Sequence, residues 1–465
     1  MLNNENINQE QKDRLLKLIN EYADCFGTNY EHLSQTNLVE FHVDTADAKP
    51  IYKRPYAYMS HAEKEFLKQD LKGMVDNGIL VPTTHVKGNT KSGGWSFPCR
   101  YVGKKTGDRR LISMFQDLNK VTVRDPWPLP NLVDVIEDLG KSQWYSQLDL
   151  LKGFHQIKVH PESCLPFGVL NGPSCFSRAI YLAMEPFINS SVTVYLDDCT
   201  VHSKTFDEHM EHLEAVFKRL LEVNMKLNAN KVELFTDKIE LLGFHVSPNG
   251  ISPVSTKVDK MLNFSRPMCQ KNVRAFVNLC GFYRRHIPFF SQISSKMNEL
   301  LKKNKPFIRD NDCQESFEKL KKALVDAATL NFPDPKKPYR LYTDASDIAI
   351  GACLAQLDDN DEERPICFMS RKLQPAEFRK YLLDKPFTLF TDNSAVQYMF
   401  SKNTPNQRLQ RWVMAAQDLT FKCVHLKTKF NPVADAMSRY PTTYEVKGDE
   451  LNGEDDLEAL YEHLM

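Results

Sequence analysis

No run of apolar residues in this chain approaches the ~20 needed to carry a helix across a bilayer, and the N-terminus, MLNNENINQEQKDR, is polar throughout. The expectation is an intracellular protein, in a cytoplasmic particle or the nucleus, neither secreted nor membrane-bound. Paired cysteines are also missing. Eleven cysteines contain no CxxC pair, so neither a zinc knuckle nor a disulfide framework is signalled, and free buried thiols are expected. There is no charge of one sign: 60 basic residues balance 60 acidic ones, so any nucleic-acid surface must be a local patch. Biased tracts are absent, with 18 Gly and 25 Pro dispersed through 465 residues, which argues against a fibrous or disordered chain. What remains is an ordinary globular composition, long enough for about three domains at roughly 150 residues each.

Several elements are legible from period and punctuation. Residues 8–26 are amphipathic and read, with the proline-bearing stretch 45–58, as an arm leading into the first domain. Ser60 and Glu63 form a capping box ahead of Phe66, Leu67, Leu71, Met74 and Val75 at helical spacing. Residues 95–105 and 110–123 read as strands around a charged turn, 131–139 as a helix stopped by Gly140, 144–150 as a strand and 175–188 as a helix. Val192, Val194 and Leu196 alternate up to Asp197 and Asp198, then Cys199, Val201 and Ser203 resume, as in a hairpin whose turn carries both acids. A helix with Leu213, Val216, Phe217, Leu220 and Leu221 on one face follows. Residues 257–330 are almost wholly helical in pattern, and from Tyr339 the period returns to two through Phe368.

Two adjacent aspartates in a hydrophobic hairpin repel each other unless a cation lies between them. A third acid, Asp149, ends the strand Tyr145-Ser146-Gln147-Leu148, and strand ends beside hairpin turns are where acids of a two-metal site converge. Taken alone, a pair of aspartates in a turn is more often simply solvated.

The surrounding segments resemble the Pol polyprotein of gypsy-type LTR retrotransposons, in its reverse transcriptase and RNase H portion. They are Asp47-Ala48-Lys49-Pro50-Ile51, Arg54-Pro55-Tyr56, Leu118-Asn119, Pro128-Leu129-Pro130, Leu148-Asp149-Leu150 with Gly153-Phe154-His155-Gln156-Ile157, Pro166-Phe167-Gly168, Tyr195-Leu196-Asp197-Asp198, Leu242-Gly243-Phe244, Tyr342-Thr343-Asp344-Ala345-Ser346, and Ala434-Asp435-Ala436 with Ser438-Arg439. They run in family order over residues 40–441. The resemblance implies an α+β chain: a right-hand polymerase of fingers, palm and thumb, then an RNase H-like α/β domain. Its divisions would be an arm to residue 58, fingers and palm at 59–250, a helical thumb and connection at 251–335, the RNase H-like domain at 336–441 and an acidic tail at 442–465.

By the same resemblance the chain would join deoxynucleoside triphosphates to a primer on an RNA or DNA template, using Mg²⁺, with Mn²⁺ as an alternative. Asp149 and Asp197 match the bridging acids, and Asp198 a supporting third. Lys231 matches a lysine that protonates leaving pyrophosphate. Lys104, Arg110, Phe154 and Phe167 match nucleotide-binding positions, with Phe154 the ring that excludes a 2′ hydroxyl. Leu242, Gly243 and Phe244 match the turn gripping the primer. In the second domain, Asp344, Asp392 and Asp435 match three of four metal-binding acids that would act on an RNA–DNA hybrid.

Two departures stand out. The family carries about one more β-hairpin between Ser163 and Cys164, and Met114 and Gln116 replace its aspartate and arginine beside the nucleotide. The helix bearing the fourth RNase H acid is largely missing at Lys380/Tyr381, and Glu377 does not match that acid. The second activity is therefore expected to be lost. The alternative for the whole chain is an inactive relic that at most binds nucleic acid.

Overall fold

The computed structural model describes residues 6–54, 60–79, 95–103, 109–128, 130–140, 142–159, 168–302, 307, 310–345, 350–370, 379–383, 385–391 and 419–425. The chain divides into one compact unit up to Ile239 and a second from Glu240 onward. Among the described residues, no helix is long and apolar enough to cross a membrane.

The first unit runs α1 (Gln9–Glu21), β1 (Phe26–Gly27), β2 (Thr36–Phe41), α2 (His61–Asp76), β3 (Cys99–Gly103), β4 (Arg109–Ser113), α3 (Gln116–Val121), α4 (Leu132–Asp138), β5 (Trp144–Leu148), β6 (Ile157–Val159), α5 (Gly172–Met184), β7 (Val192–Tyr195), β8 (Asp198–Ser203), α6 (Phe206–Glu222), β9 (Leu227–Asn228) and β10 (Glu233–Thr236). The capping box of Ser60 and Glu63 is formed at the start of α2. Three expectations need correction. The stretch 110–123 is a strand only to Ser113; Phe115 and Leu118 are buried one turn apart, so the chain turns helical to bury both on one side. Leu221 is 38% exposed, because the face of α6 that faces the core is set by Phe206, His209, Leu213, Val216, Phe217 and Leu220. The N-terminal helix is not a detached arm: Leu15 and Leu18 of α1 lie in the same core, and the Cys25 thiol donates to the Phe217 carbonyl at 3.1 Å.

At the centre is a four-stranded sheet in the order β10-β5-β8-β7, with β5 antiparallel to β8 and β8 to β7. Leu213, Val216, Phe217 and Leu220 of α6 and Phe176, Ala179, Ile180 and Ala183 of α5 are buried in a core shared with Leu148, Val192, Cys199 and Val201 of the sheet. Each large side chain so buried contributes roughly 1.5–3 kcal/mol, enough to hold the strand ends that carry the acids.

A polar seam crosses this sheet. His209 of α6 has Nε2 2.7 Å from Ser146 Oγ and Nδ1 2.9 Å from Ser203 Oγ, which also lies 2.7 Å from His212 Nδ1. His202 is hydrogen-bonded between Ser142 and Thr193. Burial first, then the neighbouring His212, lowers His202 to about 4 and His209 to about 3. Folding therefore excludes protons that the unfolded chain would bind below about pH 6.5. Full stability is present above that pH and is lost as pH falls toward 4 and 3, at about 1.4 kcal/mol per pH unit for each ring. The expected result is a steep loss of unfolding free energy between pH 6 and 4.5, with His209→Gln reducing the slope by about one proton; chemical denaturation across that range measures it.

The second unit opens with an antiparallel sheet of β11 (Ile239–Leu241), β12 (Phe244–Ser247) and β13 (Gly250–Pro253). Helices α7 (Ser255–Leu262), α8 (Gln270–Gly281), α9 (Phe290–Ile293), α10 (Ser295–Glu299) and α11 (Asn311–Val325) follow. Then come β14 (Tyr339–Ala345), β15 (Ile350–Leu357), β16 (Glu363–Ser370), the one-turn α12 (Arg379–Leu382), β17 (Phe387–Thr391) and β18 (Phe421–His425). These five strands form one sheet, ordered β16-β15-β14-β17-β18, antiparallel through β16-β15-β14 and parallel from β14 to β18.

Candidate active site

Asp149 follows the last residue of β5, and its position is fixed by a second segment. Its carbonyl accepts from the Asn228 amide at 2.8 Å, and the Leu151 amide donates to the Lys226 carbonyl at 2.9 Å, so residues 149–151 and 226–228 are zipped together. Asn228 then starts a tight turn, its side chain accepting from the Asn230 amide and its carbonyl from the Lys231 amide. That turn brings the Lys231 ammonium to Asp149 Oδ2 at 2.8 Å. Both side chains are largely open to solvent, so the pair adds at most about 1 kcal/mol to stability. Its consequence is local: a cation sits on the acid.

The other two acids come from the β7–β8 hairpin. Tyr195 pairs directly with Asp198, so the turn proper is Leu196 and Asp197, and Asp198 is the first paired residue rather than part of the turn. A two-residue hairpin turn that follows the strand twist needs positive φ, and Leu196 sits at φ +55°. For a residue with a Cβ this conformation costs about 1–2 kcal/mol, which the flanking ladder sustains. The turn places Asp197 at the tip, with Asp198 beside it at the start of β8. Desolvation by the surrounding chain, then the negative charges of Asp197 and Asp149, push the Asp198 carboxyl up to about 6, with Lys231 pulling the other way. Asp198 thus feels the charge of both other acids across the strand ends.

Among the described residues, no three carboxylate, imidazole or thiol groups are drawn together closely enough to hold a metal ion as they stand. The donor chemistry nevertheless fits a hard divalent cation. Three carboxylates supply oxygen ligands and negative charge, and the one with an ammonium on it already accommodates a positive group.

Phe154 lies on the short 3-10 turn Gly153–Gln156 just beyond Asp149, half-buried, with its ring stacked on Phe176 at 5.0 Å. Gly153 is required there: a Cβ would lie 2.1 Å from the Phe176 ring. Arg110 is in β4, paired with Val102 of β3. Lys104 and Phe167 lie outside the described residues. In the second unit, Leu242 and Gly243 form the β11–β12 turn at φ +52° and +88°. Tyr283 donates its hydroxyl to the Gly243 carbonyl at 2.9 Å, and Phe244 stacks on Phe282 and His286. Asp344 sits in β14 opposite Gly351, while Asp392, Asp435 and Glu377 lie outside the described residues. Two structural features went unread in the sequence: the strained Leu196 and the wholly buried Gln156. Only the tightness of the hairpin signalled the first, and nothing in the residue type signalled the second.

The sheet with acids at its strand ends and the five-stranded mixed sheet beyond it define a right-hand polymerase fold followed by an RNase H-like domain. Solved structures of the foamy viral protease-reverse transcriptase share this fold. In complex with double-stranded DNA, one aligns over 90% of this chain and 80% of its own with a TM-score of 0.76 at 21% identity; in complex with an RNA/DNA hybrid, another covers 96% and 64% with a TM-score of 0.68 at 20% identity. Residues 159–246 match the family model of reverse transcriptase (RNA-dependent DNA polymerase), and residues 310–385 and 376–419 match models of the RNase H-like domain found in reverse transcriptase. The chain thus holds segments similar to reverse transcriptase and to the RNase H-like domain found in it, and over most of its length it is similar to retrovirus-related Pol polyproteins of transposons. Its relatives include the retrovirus-related Pol polyprotein from transposon 297 of Drosophila melanogaster, 31% identical over 94% of this chain and 44% of that protein. The corresponding protein from transposon gypsy of the same organism is 28% identical over 94% and 46%. The chain spans less than half the length of these relatives.

Proposed function

We propose that this chain is an RNA-directed DNA polymerase of retrotransposon origin that extends a primer on an RNA or DNA template, with an RNase H-like domain that no longer cuts. The observation that carries the reading is the strand register: Leu148 pairs with Cys199 and Tyr195 with Asp198, which puts Asp149, next after β5, beside Asp198, the first residue of β8, with Asp197 next to it in the β7–β8 turn. Asp149 and Asp197 would hold Mg²⁺, or Mn²⁺, with Asp198 in support. Bound there, the ions would acidify the primer hydroxyl and neutralise charge on the triphosphate. The protein's own contribution is placement. Lys231 holds an ammonium at Asp149 and serves as the proton donor to departing pyrophosphate. Lys104 and Arg110 hold the triphosphate, Phe154 and Phe167 shape the nucleotide pocket, and Leu242, Gly243 and Phe244 grip the primer end. Complexes of the structural relatives with double-stranded DNA and an RNA/DNA hybrid support the choice of partners. The relic reading draws on one observation, the short 197 − 149 = 48 residue interval between the first two acids.

Extension of a DNA primer on poly(rA) with Mg²⁺ or Mn²⁺ tests the proposal. Sugar choice gives a second handle. Phe154→Ala removes a ring held flat by Phe176, so ribonucleotides should be admitted about tenfold or more readily, at a stability cost of about 2 kcal/mol. Competition between deoxy- and ribonucleoside triphosphates measures the first effect, and unchanged discrimination would return Phe154 to the core.

A further inference from the structure

Gln156 is fully buried, and every polar atom of its side chain is spent on one task. Its Oε1 accepts from the Lys226 amide at 2.7 Å, while Nε2 donates to the Lys226 carbonyl at 2.8 Å and to the Leu151 carbonyl at 2.7 Å. A carboxamide presents the same donor and acceptor as a peptide group, so this side chain pairs with both backbone groups of Lys226 as a neighbouring strand would. An apolar side chain of that size would fill the space without the cost of burying a carboxamide, and would leave three backbone groups without this partner. The segments joined are the two that bear the site. Residues 149–151 meet 226–228 through the Asn228 amide on the Asp149 carbonyl and the Leu151 amide on the Lys226 carbonyl, and the turn from Asn228 delivers Lys231 to Asp149. Gln156 also ends the 3-10 turn that carries Phe154.

We propose that Gln156 is a positioning residue: its carboxamide locks Lys226 to the turn after Asp149 and thereby sets where the Lys231 ammonium and the Phe154 ring stand. The role in catalysis rests on the polymerase reading; the positioning itself does not. The residue acts through Lys231 and Phe154 and touches no substrate.

The test compares the full chain with Gln156→Met, which keeps length and loses every bond, and Gln156→Asn, which keeps the carboxamide but is one methylene short. Amide hydrogen exchange is read at Asn228, whose bond to Asp149 lies two residues beyond the clamp, with Val201 in β8 as the reference. The expected result is exchange at Asn228 about tenfold faster in Gln156→Met, the factor for about one ordinary hydrogen bond, an intermediate effect in Gln156→Asn, and no change at Val201. In primer extension the same variants should lower kcat by about tenfold and relax deoxy over ribo preference, with KM for primer and template unchanged. Faster exchange at Lys226 alone overturns the proposal, because the clamp would then be local. Equal acceleration at Asn228 and Val201 overturns it too, because Gln156 would then be stabilising the whole unit. If none of the proteins extends a primer, the polymerase reading fails and exchange at Asn228 still decides on positioning. If Gln156→Met does not fold, the comparison with Gln156→Asn carries the same decision.

Discussion

Asp197→Asn is expected to reduce primer extension by at least about 10³-fold while leaving the fold intact. Asparagine keeps the size of the side chain and removes its charge, and loss of a group that stabilises charge developing in the reaction costs about that much. Asp197 is exposed at the tip of a two-residue turn and donates nothing to the core, so unfolding free energy should stay within about 0.5 kcal/mol of the parent. That combination separates loss of chemistry from loss of structure. Removing one negative charge should also relieve Asp198, whose carboxyl is pushed up to about 6 first by desolvation and then by Asp197 and Asp149. Equal extension by parent and variant would assign the activity to a contaminant.

The second large effect is an absence. Cleavage of the RNA strand of an RNA–DNA hybrid should be undetectable, on the expectation from the sequence that the helix bearing the fourth acid is largely missing at Lys380/Tyr381. Between β16 and β17 lie residues 371–386, and within them the described helix α12 is a single turn, Arg379–Leu382. Among the described residues the sheet has five strands, with Asp344 in β14 and β17 running parallel beside it up to Thr391, the residue before Asp392. Three carboxylates bridge and neutralise two divalent ions less well than four, so metal affinity should fall with activity. Hybrid cleavage abolished by Asp392→Asn would show that another acid, such as Glu377, has taken the missing place.

The sequence was most legible where one physical signal dominated. The capping box at Ser60 and Glu63, the apolar stripe of Leu213, Val216, Phe217 and Leu220, and the alternation through 192–203 each led to the element observed. It was misleading at residues 114–121, read as the continuation of the strand before them, where burying Phe115 and Leu118 one turn apart requires a helix. The candidate acids were singled out by the surrounding family-like segments, since two adjacent aspartates taken alone read as a solvated turn. Gln156 was not, since a glutamine in a loop looks the same whether it is solvated or bonded three times to backbone. The paired histidines of the polar seam were hidden for a similar reason, because Ser146 and His209 are 63 residues apart and meet only when α6 packs on the sheet.

Single-turnover addition of one deoxythymidine monophosphate to a DNA primer annealed to poly(rA), with purified protein in excess and Mg²⁺ or Mn²⁺ supplied, tests the central claim most directly. The account predicts a primer longer by one residue in the parent and none in Asp197→Asn. A parent that binds the primer and template tightly yet leaves the primer unextended with either metal would contradict it, and would establish the chain as a nucleic-acid-binding relic.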